Sequence, residues 1–309
     1  MTAPSISPTQ RTTSAAEVAF VRDREGVDRA LAEFCARHLA DVPSPVGDAI
    51  RYAVLGEGKR LRAILLLSAY RAAGGEADAT PLAAAVEIVH AYSLVHDDLP
   101  CMDDDDMRRG RPTVHRVYGV PAATAAGLAM VPLAVRCARD AAETLGLSPA
   151  AQGTIVRELM RAAGGGGMIG GQLLDLDGEG LALSIEQLER IHRAKTGALI
   201  RAAVRIGGSA AGATPAELQA LDRYGEALGL AFQIADDVLD VTSTTNELGK
   251  TAGRDLALQK STYPALLGVS GAISRARALV EEACGALSGV QLLTPSLESL
   301  ARFIVDRRS

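Results

Sequence analysis

Two apolar segments with helical periodicity each lead into a cluster of aspartates, and this pairing restricts the folds open to the chain. The clusters contain Asp97, Asp98 and the run from Asp103 to Asp106, and then Asp236, Asp237 and Asp240. Carboxylates that lie close together repel one another and resist desolvation, so an apolar helix that ends in several of them normally meets a cation. The sequence therefore predicts two helices that converge on a shared polyvalent metal site.

Helical periodicity of apolar residues recurs along most of the chain from residue 17 to residue 307, whereas alternating strand patterns are nearly absent. The 309-residue chain is rich in alanine, has only 3% aromatic residues and lacks tryptophan, a composition that favours close-packed helices. No linker of shifted composition divides it. We therefore predict an all-α fold in which residues 17–309 form a single-domain antiparallel helical bundle, after a disordered segment at residues 1–16.

The overall charge and the cysteine pattern exclude several classes of function. Lysine and arginine total 32 against 37 acidic residues, which argues against a broad basic surface for nucleic acid. No segment is uninterruptedly apolar over the ~18 residues that a membrane helix needs, so neither a span nor a secretory signal is predicted. The four cysteines lack zinc-type or disulfide-type spacing, which suits a reducing compartment. We expect a cytoplasmic protein.

The two aspartate clusters differ in helical geometry. Asp236 and Asp240 are four residues apart and share one helix face, with Gln233 one turn earlier on the same side. Asp97 and Asp103 are six residues apart, which places them about 120° out of phase on an ideal helix. Pro100 removes an amide donor and disfavours helical geometry at the preceding residue, so we expect the helix to break there and Asp103 to be re-aimed.

The residues around the clusters indicate which metal and which substrate belong there. Carboxylates without a histidine or cysteine cluster indicate a hard ion, magnesium or manganese. Basic residues stand nearby in sequence or at polar breaks between helices: Arg62, Arg108, Arg109, Arg111 and the only four lysines of the chain, Lys59, Lys195, Lys250 and Lys260. Acidic groups for a cation and basic groups for an anion predict a diphosphate ester bridged to the aspartates by metal. The chain has no Walker-type phosphate loop.

Residues 96–113, HDDLPCMDDDDMRRGRPT, resemble the first aspartate-rich motif of the short-chain trans-isoprenyl diphosphate synthases, with the two-residue insertion typical of bacterial farnesyl and many geranylgeranyl diphosphate synthases. Residues 232–240, FQIADDVLD, resemble the second motif. Residues 58–62, 170–172, 192–197, 248–250 and 260–264 match further family motifs in the family's order. The resemblance implies an isoprenoid synthase-type bundle around a central cavity, a homodimer, and a metal-dependent prenyltransferase that acts on isopentenyl diphosphate and allylic diphosphates.

The same resemblance implies a role for each matching residue. It implies that three magnesium ions, or manganese, are held by Asp97, Asp98, Asp103, Asp236, Asp237 and Asp240. The allylic diphosphate would contact Arg108, Lys195, Thr196, Gln233 and Lys250, with Lys260 as a further substrate-binding residue. Isopentenyl diphosphate would contact Lys59, Arg62, His90 and Arg109. Lys195 and Thr196 would also stabilise the allylic cation that forms when diphosphate departs.

The product predicted from the resemblance is farnesyl diphosphate. In the family the residue five positions before the first aspartate usually stops chain growth, and here it is the aromatic Tyr92, whereas small Ser93 leaves geranylgeranyl diphosphate open. Leu128 and Val135 depart from the usual aspartate and phenylalanine of the family, and Pro132 lies between them. We expect this departure to kink the helix and widen the pocket. A non-catalytic partner subunit of a prenyl synthase and a class I terpene cyclase are the more distant alternatives.

Overall fold

The computed structural model describes residues 15–242 and 260–306, and α-helices contain most of them. In chain order the helices are α1 (Ala15–His38), α2 (Val46–Val54), α3 (Leu61–Ala72), α4 (Thr80–Asp97), α5 (Val114–Tyr118), α6 (Val120–Thr144), α7 (Pro149–Ala163), α8 (Met168–Asp177), α9 (Ile185–His192), α10 (Ala198–Ala210), α11 (Pro215–Thr242), α12 (Tyr263–Ser288) and α13 (Pro295–Asp306). The predicted all-α class is confirmed. Helix α1 begins inside the segment 1–16 that we predicted to be disordered, and residues 1–14 lie outside the described residues.

Contacts between helices that are distant in sequence build the bundle. Helix α11 packs along α12, α4 along α6, and α3 along α10, which also packs against α11. Buried apolar side chains form two clusters, one among α1 to α8 and α10, and the other among α3 and α9 to α13. Helix α3 carries Leu66 in the first cluster and Leu65 in the second. Successive residues of α3 therefore join the two halves of the core.

A short two-stranded ribbon follows the first aspartate cluster. Strands β1 (Met107–Arg108) and β2 (Arg111–Pro112) are antiparallel, with Arg108 opposite Arg111. The two residues between them, Arg109 and Gly110, both have positive φ angles, 53° and 72°, as the tight turns of two-residue hairpins require. This ribbon directs consecutive arginines, Arg108 and Arg109, to different neighbours.

A π-helical turn, Arg193–Gly197, lies between α9 and α10. Two glycines on neighbouring helices pack directly on this turn. A Cβ added at Gly171 would overlap the backbone of Lys195, and one added at Gly229 would press on Gly197. Isolated π-helical turns widen a helix locally and are frequent at functional sites, and this one contains Lys195 and Thr196.

Helix α6 runs from Val120 to Thr144 as one assigned helix that contains Pro132. Leu128 is 64% exposed, Pro132 is also exposed and Val135 is half-buried. None of the three lines the cavity described below, so the expected widening of the pocket finds no support in their positions. By length and composition α6 could cross a membrane, but core helices of water-soluble proteins satisfy the same criteria and 44% of its apolar window is buried, so we do not assign it as a span.

Candidate active site

A cavity of about 960 Å³ receives side chains from α3, α4, α8, α11 and the π-helical turn. The predicted site residues that line it are Lys59, Arg62, His90, Ser93, Asp97, Asp103, Arg108, Arg109, Lys195, Thr196, Gln233, Asp236, Asp237 and Lys260. Asp98, Asp240 and Tyr92 are buried without lining the cavity. Lys250 lies outside the described residues. Most of the predicted set is therefore brought together around one space.

The turn after α4 brings Asp103 to the same cavity as Asp97. The backbone amide of Asp103 donates to the carbonyl of Asp97 at 2.8 Å, and that of Asp105 donates to the carbonyl of Asp98 at 3.2 Å. Asp104 has a positive φ of 50°, which lets the chain reverse direction here. The helix ends at Asp97, slightly before Pro100, and the expected re-aiming of Asp103 takes place in this hydrogen-bonded turn.

Asp98 is turned away from the cavity and is held by Arg108. Its Oδ1 accepts a hydrogen bond from Arg108 Nε at 2.7 Å, and Arg108 Nη2 lies 2.6 Å from the same oxygen. Arg108 also donates to Asp105 Oδ2 at 3.1 Å. Burial raises the pKa of Asp98, while the guanidinium of Arg108 opposes that rise. This carboxylate therefore has a protein cation as its partner and supports the turn from behind.

Asp97 has the electrostatics of a cation ligand. Burial raises the pKa of its carboxyl to about 6, and the neighbouring Asp103 adds to the rise, although Lys195 counteracts it. A carboxyl in this condition is destabilised as an anion, and a metal ion beside it would favour the charged form. The proton and the metal would compete for the same oxygens.

Asp237, in the second cluster, is occupied by hydrogen bonds from the protein. Its Oδ1 accepts from Gln233 Nε2 and its Oδ2 accepts from the backbone amide of Tyr263, both at 3.1 Å. His192 Nε2 lies 3.5 Å from Oδ2. Gln233 Oε1 in turn accepts from the hydroxyl of Thr196 at 2.8 Å. Asp237 therefore ties α11 to the start of α12 and, through Gln233, to the π-helical turn.

The remaining acidic groups of the two clusters suit a hard cation, although they are widely spaced. Asp240 is only 4% exposed, and neither of its carboxylate oxygens has a hydrogen-bond partner among the described residues. An uncompensated buried carboxylate of this kind is what a bound cation would neutralise. Within residues 15–242 and 260–306, no three acidic, histidine or cysteine side chains stand close enough to hold a metal by themselves. Magnesium commonly completes its shell with water and substrate phosphate, so such spacing suits it.

A further carboxylate, that of Asp175 on α8, binds two lysines at the cavity wall. Its Oδ2 lies 2.6 Å from Lys195 Nζ and 3.0 Å from Lys260 Nζ, and Lys260 also pairs with Glu179 at 3.2 Å. Burial opposes ionisation, but the two ammonium groups hold the pKa of Asp175 below its usual value. Asp175 accompanies the matching family motif at residues 170–172, and its contacts with two lysines were not predicted from the sequence. We call Asp97, Asp103, Asp236, Lys195 and Lys260 the carboxylate half of the cavity.

The other part of the cavity is dominated by cations. Arg62 Nη1 lies 3.3 Å from His90 Nε2, and its guanidinium lies 6.0 Å from the centre of the Phe232 ring. Burial, together with the nearby arginines Arg62 and Arg109, keeps the pKa of His90 well below its usual value, so the imidazole is neutral and accepts from Arg62. We call Lys59, Arg62, His90 and Arg109 the arginine half.

Arg60, which the sequence did not single out, braces the arginine half. It is 7% exposed and has a positive φ of 50° at the start of α3. Its guanidinium donates to Asp28 Oδ1 at 2.8 Å and to the carbonyl of Gly56 at 2.7 Å. Glu87 lies 3.9 Å away and accepts the backbone amide of Ala63 at 3.1 Å. The acidic groups Asp28 and Glu87 are thus engaged around Arg60 and the start of α3.

The predicted chain-length residues occupy different layers. Ser93 lies on the cavity wall and donates to the carbonyl of His90 at 2.8 Å. Tyr92 lies behind the wall, where its ring packs edge-on against His96 with centroids 5.0 Å apart. His96 Nε2 is 3.2 Å from the carbonyl oxygen of Thr124 on α6. Successive residues of a helix point about 100° apart, which explains why Tyr92 and Ser93 do not share the wall.

Comparison with known proteins identifies the class to which this fold and cavity belong. The sequence model of the polyprenyl synthetase family matches residues 44–289. Among curated proteins, farnesyl diphosphate synthase of Escherichia coli (strain K12) is 46% identical over 280 residues, which cover 88% of this chain and 93% of that protein. Geranylgeranyl pyrophosphate synthase 7, chloroplastic, of Arabidopsis thaliana is 41% identical over 272 residues, 86% of this chain and 78% of that protein.

Solved structures agree with this assignment. An FPP/GFPP synthase from Zymomonas mobilis superposes with a TM-score of 0.79 at 32% identity, covering 93% of this chain and 99% of that one. A geranyltransferase from Helicobacter pylori, complexed with magnesium and isoprenyl diphosphate, has a TM-score of 0.77 at 30% identity over 96% and 98% of the two chains. The chain belongs to the polyprenyl synthetase family. It is a prenyltransferase of the trans-isoprenyl diphosphate synthase type, as the motifs predicted.

Proposed function

We propose that the enzyme condenses isopentenyl diphosphate with dimethylallyl and geranyl diphosphates, and that its product is farnesyl diphosphate. The observation that carries this proposal is the division of one cavity into a carboxylate half and an arginine half. Two diphosphates need separate anion sites, and one of them must ionise while the other stays intact. Dense carboxylates beside lysines suit a metal-bridged diphosphate, whereas a cluster of arginines suits direct binding of a diphosphate.

In this proposal the allylic diphosphate binds in the carboxylate half. Asp97, Asp103 and Asp236 would hold magnesium, with manganese as a substitute, and Asp240 would support the second cluster. Three ions per site is the number that the family resemblance implies. Bound magnesium would neutralise the diphosphate and make it a better leaving group. Lys195 and Lys260 would then exchange part of their contact with Asp175 for contact with the diphosphate oxygens, assisted by Arg108 and by Lys250 from outside the described residues.

The reaction needs positioning and charge stabilisation more than acid-base catalysis by side chains. The bond between C1 and oxygen of the allylic substrate breaks heterolytically, and its electron pair leaves with diphosphate. The hydroxyl of Thr196 and the amide oxygen of Gln233 are hydrogen-bonded to each other, so they present fixed dipoles beside the allylic cation. The double bond of isopentenyl diphosphate attacks that cation, and a proton then passes to the released diphosphate.

Isopentenyl diphosphate would bind in the arginine half, where its diphosphate contacts Lys59, Arg62 and Arg109. Neutral His90 supports Arg62 by accepting its hydrogen bond and adds no further positive charge to the cluster. The aspartates of the carboxylate half favour this arrangement, because they would bind the metal ions that the allylic diphosphate needs. The non-catalytic subunit loses support because aspartates of both motifs and the arginine half border one cavity. A cyclase that folds one prenyl diphosphate would not need the second anion site.

Product length is the finer part of the proposal. Farnesyl diphosphate is supported by aromatic Tyr92 and by the similarity to the Escherichia coli enzyme. One observation favours geranylgeranyl diphosphate as a second candidate, since small Ser93 lines the cavity and Tyr92 lies behind it. We expect Tyr92→Ala to lengthen the product and Ser93→Phe to shorten it. If only Ser93→Phe changes the product, the floor role of Tyr92 is wrong.

Two features predicted from the sequence also belong to the proposal, a homodimer and a cytoplasmic location. The outer face of α6 carries exposed apolar residues, among them Leu128 and Pro132, and a second copy of the chain would cover them. Light scattering after gel filtration should give twice the chain mass for the native enzyme. Leu128→Asp should shift the population towards monomer. A monomeric native enzyme would contradict the proposed homodimer.

The deciding experiment is incubation of the purified enzyme with labelled isopentenyl diphosphate and, separately, dimethylallyl, geranyl or farnesyl diphosphate. Chromatography of the dephosphorylated products should show the fifteen-carbon alcohol with the first two starters when magnesium is present. A reaction with a chelator in excess is the control and should show none. Cyclic hydrocarbons without consumption of isopentenyl diphosphate would instead identify a cyclase. No turnover by the purified chain alone would favour the partner subunit.

A further inference from the structure

Gln172 on α8 is a buried amide that has no assigned partner. It is 8% exposed, it lines the cavity, and neither its Oε1 nor its Nε2 forms a hydrogen bond with the described residues. Burying an amide without hydrogen bonds costs free energy. A ligand bound in the cavity would supply the missing hydrogen-bond partners. Gln233 shows the contrast, because its amide accepts from Thr196 and donates to Asp237.

The position of Gln172 along α8 indicates which part of a ligand it meets. The cavity-lining residues of this helix are Met168, Gln172 and Asp175, spaced four and three residues apart on one face. Met168 is apolar, whereas Asp175 binds the ammonium groups of Lys195 and Lys260. Gln172 therefore lies at the boundary between an apolar wall and the charged groups. In a prenyl diphosphate that boundary corresponds to the first carbons of the chain.

Backbone packing fixes Gln172 at this level. The preceding residue, Gly171, lies so close to the backbone of Lys195 that a Cβ would overlap it. Helix α8 is thereby seated on the π-helical turn that carries Thr196. The amide of Gln172 and the Thr196–Gln233 pair thus belong to adjoining elements of the same cavity wall. The backbone position of Gln172 is therefore set by the packing of α8 on this turn.

We propose that Gln172 is a further catalytic residue, whose amide touches the reacting end of the allylic diphosphate; this inference rests on the proposed function. Its carbonyl dipole points to the first carbons, and its amino group donates to the oxygen that departs. As the C1–O bond breaks, the electron pair and the negative charge go to diphosphate while the positive charge spreads over the allylic carbons. One amide then stabilises both developing charges, and both of its polar atoms find partners only in this complex.

The test compares Gln172→Met, which keeps the size of the side chain and removes its hydrogen-bonding groups, with the native full-length enzyme loaded with magnesium. We expect kcat to fall about 10- to 100-fold, the range for losing a preorganised dipole in a closed site. KM for isopentenyl diphosphate should stay within about twofold, because that substrate lies in the arginine half. The melting temperature should not fall, because no protein partner loses a hydrogen bond.

Two control variants make the result specific. Gln152→Met changes a half-buried amide on α7, outside the cavity, and should keep native kinetics. Gln233→Met removes an amide with two protein partners and should lower the melting temperature, unlike Gln172→Met.

A Gln172→Met enzyme with kcat reduced less than tenfold overturns the inference. So does a melting temperature lowered by several degrees, or a parallel rise in KM for isopentenyl diphosphate, since both indicate a structural role. Failure of the native enzyme to form prenyl products would overturn the proposed function itself. That outcome differs from failure of the inference, in which the native enzyme is active and Gln172→Met is nearly as active.

Discussion

The two halves of the cavity differ in what their carboxylates contact. In the carboxylate half, Asp97, Asp103 and Asp236 line the cavity, and burial raises the pKa of Asp97 to about 6. In the arginine half, Asp28 and Glu87 are engaged by Arg60 and by the start of α3. The carboxylate half thus presents anions that a bound cation would stabilise. The arginine half presents cations whose charge is only partly compensated.

The difference shows how one cavity can distinguish two substrates that carry the same head group. A diphosphate cannot approach the carboxylate half without cations between, whereas it can meet the arginine half directly. Metal availability and mutations of Asp97, Asp103 or Asp236 should therefore act on the allylic substrate, and mutations of Lys59 or Arg62 on isopentenyl diphosphate. A mutation that affected both substrates equally would contradict the assignment of one substrate to each half.

The largest effect is expected from removing an aspartate that faces the cavity. Asp97→Ala or Asp236→Ala should lower kcat by about a thousandfold or more, because metal-assisted charge stabilisation contributes several kcal/mol. Binding of isopentenyl diphosphate, measured by calorimetry, should change little. The matched control is Asp106→Ala in the same acidic run. The exposed carboxylate of Asp106 pairs with Arg116 on the surface, so this variant should leave kcat near native. Near-native turnover of both cavity variants would remove the metal assignment.

A smaller and selective effect is expected in the arginine half. Lys59→Ala and Arg62→Ala should each raise KM for isopentenyl diphosphate by about 10- to 100-fold, since a charge-assisted hydrogen bond contributes ~1.5–3 kcal/mol. KM for geranyl diphosphate should remain within about threefold. Arg116→Ala, which removes an exposed arginine outside the cavity, serves as the control. Equal increases in both KM values would show that the two halves are not separate sites.

The residues of the carboxylate half are more predictable from the sequence than the contacts among them. The fold class followed from helical periodicity, and the Asp236 face followed from spacing on an unbroken helix. The position of Asp103 depended on Pro100 and was expected only as a break, because the turn is built from backbone hydrogen bonds that no spacing specifies. The pairing of Asp98 with Arg108 joins residues across the β1–β2 ribbon and could not be deduced from helix geometry.

The arginine half was less predictable because its support comes from distant parts of the chain. Arg60 is held by Asp28, 32 positions earlier, and Glu87 reaches the amide of Ala63 from another helix. Tyr92 was assigned to the cavity floor by resemblance alone, and its position behind Ser93 follows from helical phase. Local patterns indicate which side chains are available, whereas packing between helices decides which ones face the cavity.

A further selective effect is expected from Arg60→Lys, because Arg60 lines the cavity beside the predicted ligands. Lysine keeps the charge but cannot donate at once to Asp28 and to the carbonyl of Gly56. We expect KM for isopentenyl diphosphate to rise about five- to tenfold, with kcat and KM for geranyl diphosphate unchanged. Arg71→Lys disrupts a comparable pair with Asp23, neither of which lines the cavity, and should reduce stability without changing either KM. Changes in both KM values for Arg60→Lys would indicate a general structural role.

The smallest effect on catalysis is expected at His90. Burial and the surrounding arginines hold the pKa of His90 well below its ordinary value, so the native imidazole is already neutral from pH 7 to pH 8. His90→Gln keeps an acceptor for Arg62, and the ratio of variant to native KM for isopentenyl diphosphate should stay constant over this range.

Stability should nevertheless depend on this histidine. Below about pH 6.5 the unfolded chain binds a proton at His90 that the folded chain excludes, so the free energy of unfolding decreases as pH falls. Urea unfolding at pH 8 and pH 5.5 should therefore show a larger loss of stability for the native enzyme than for His90→Gln. Equal losses would mean that His90 is protonated in the folded enzyme. Since the imidazolium could then not accept from Arg62, the arginine half would hold one more cation.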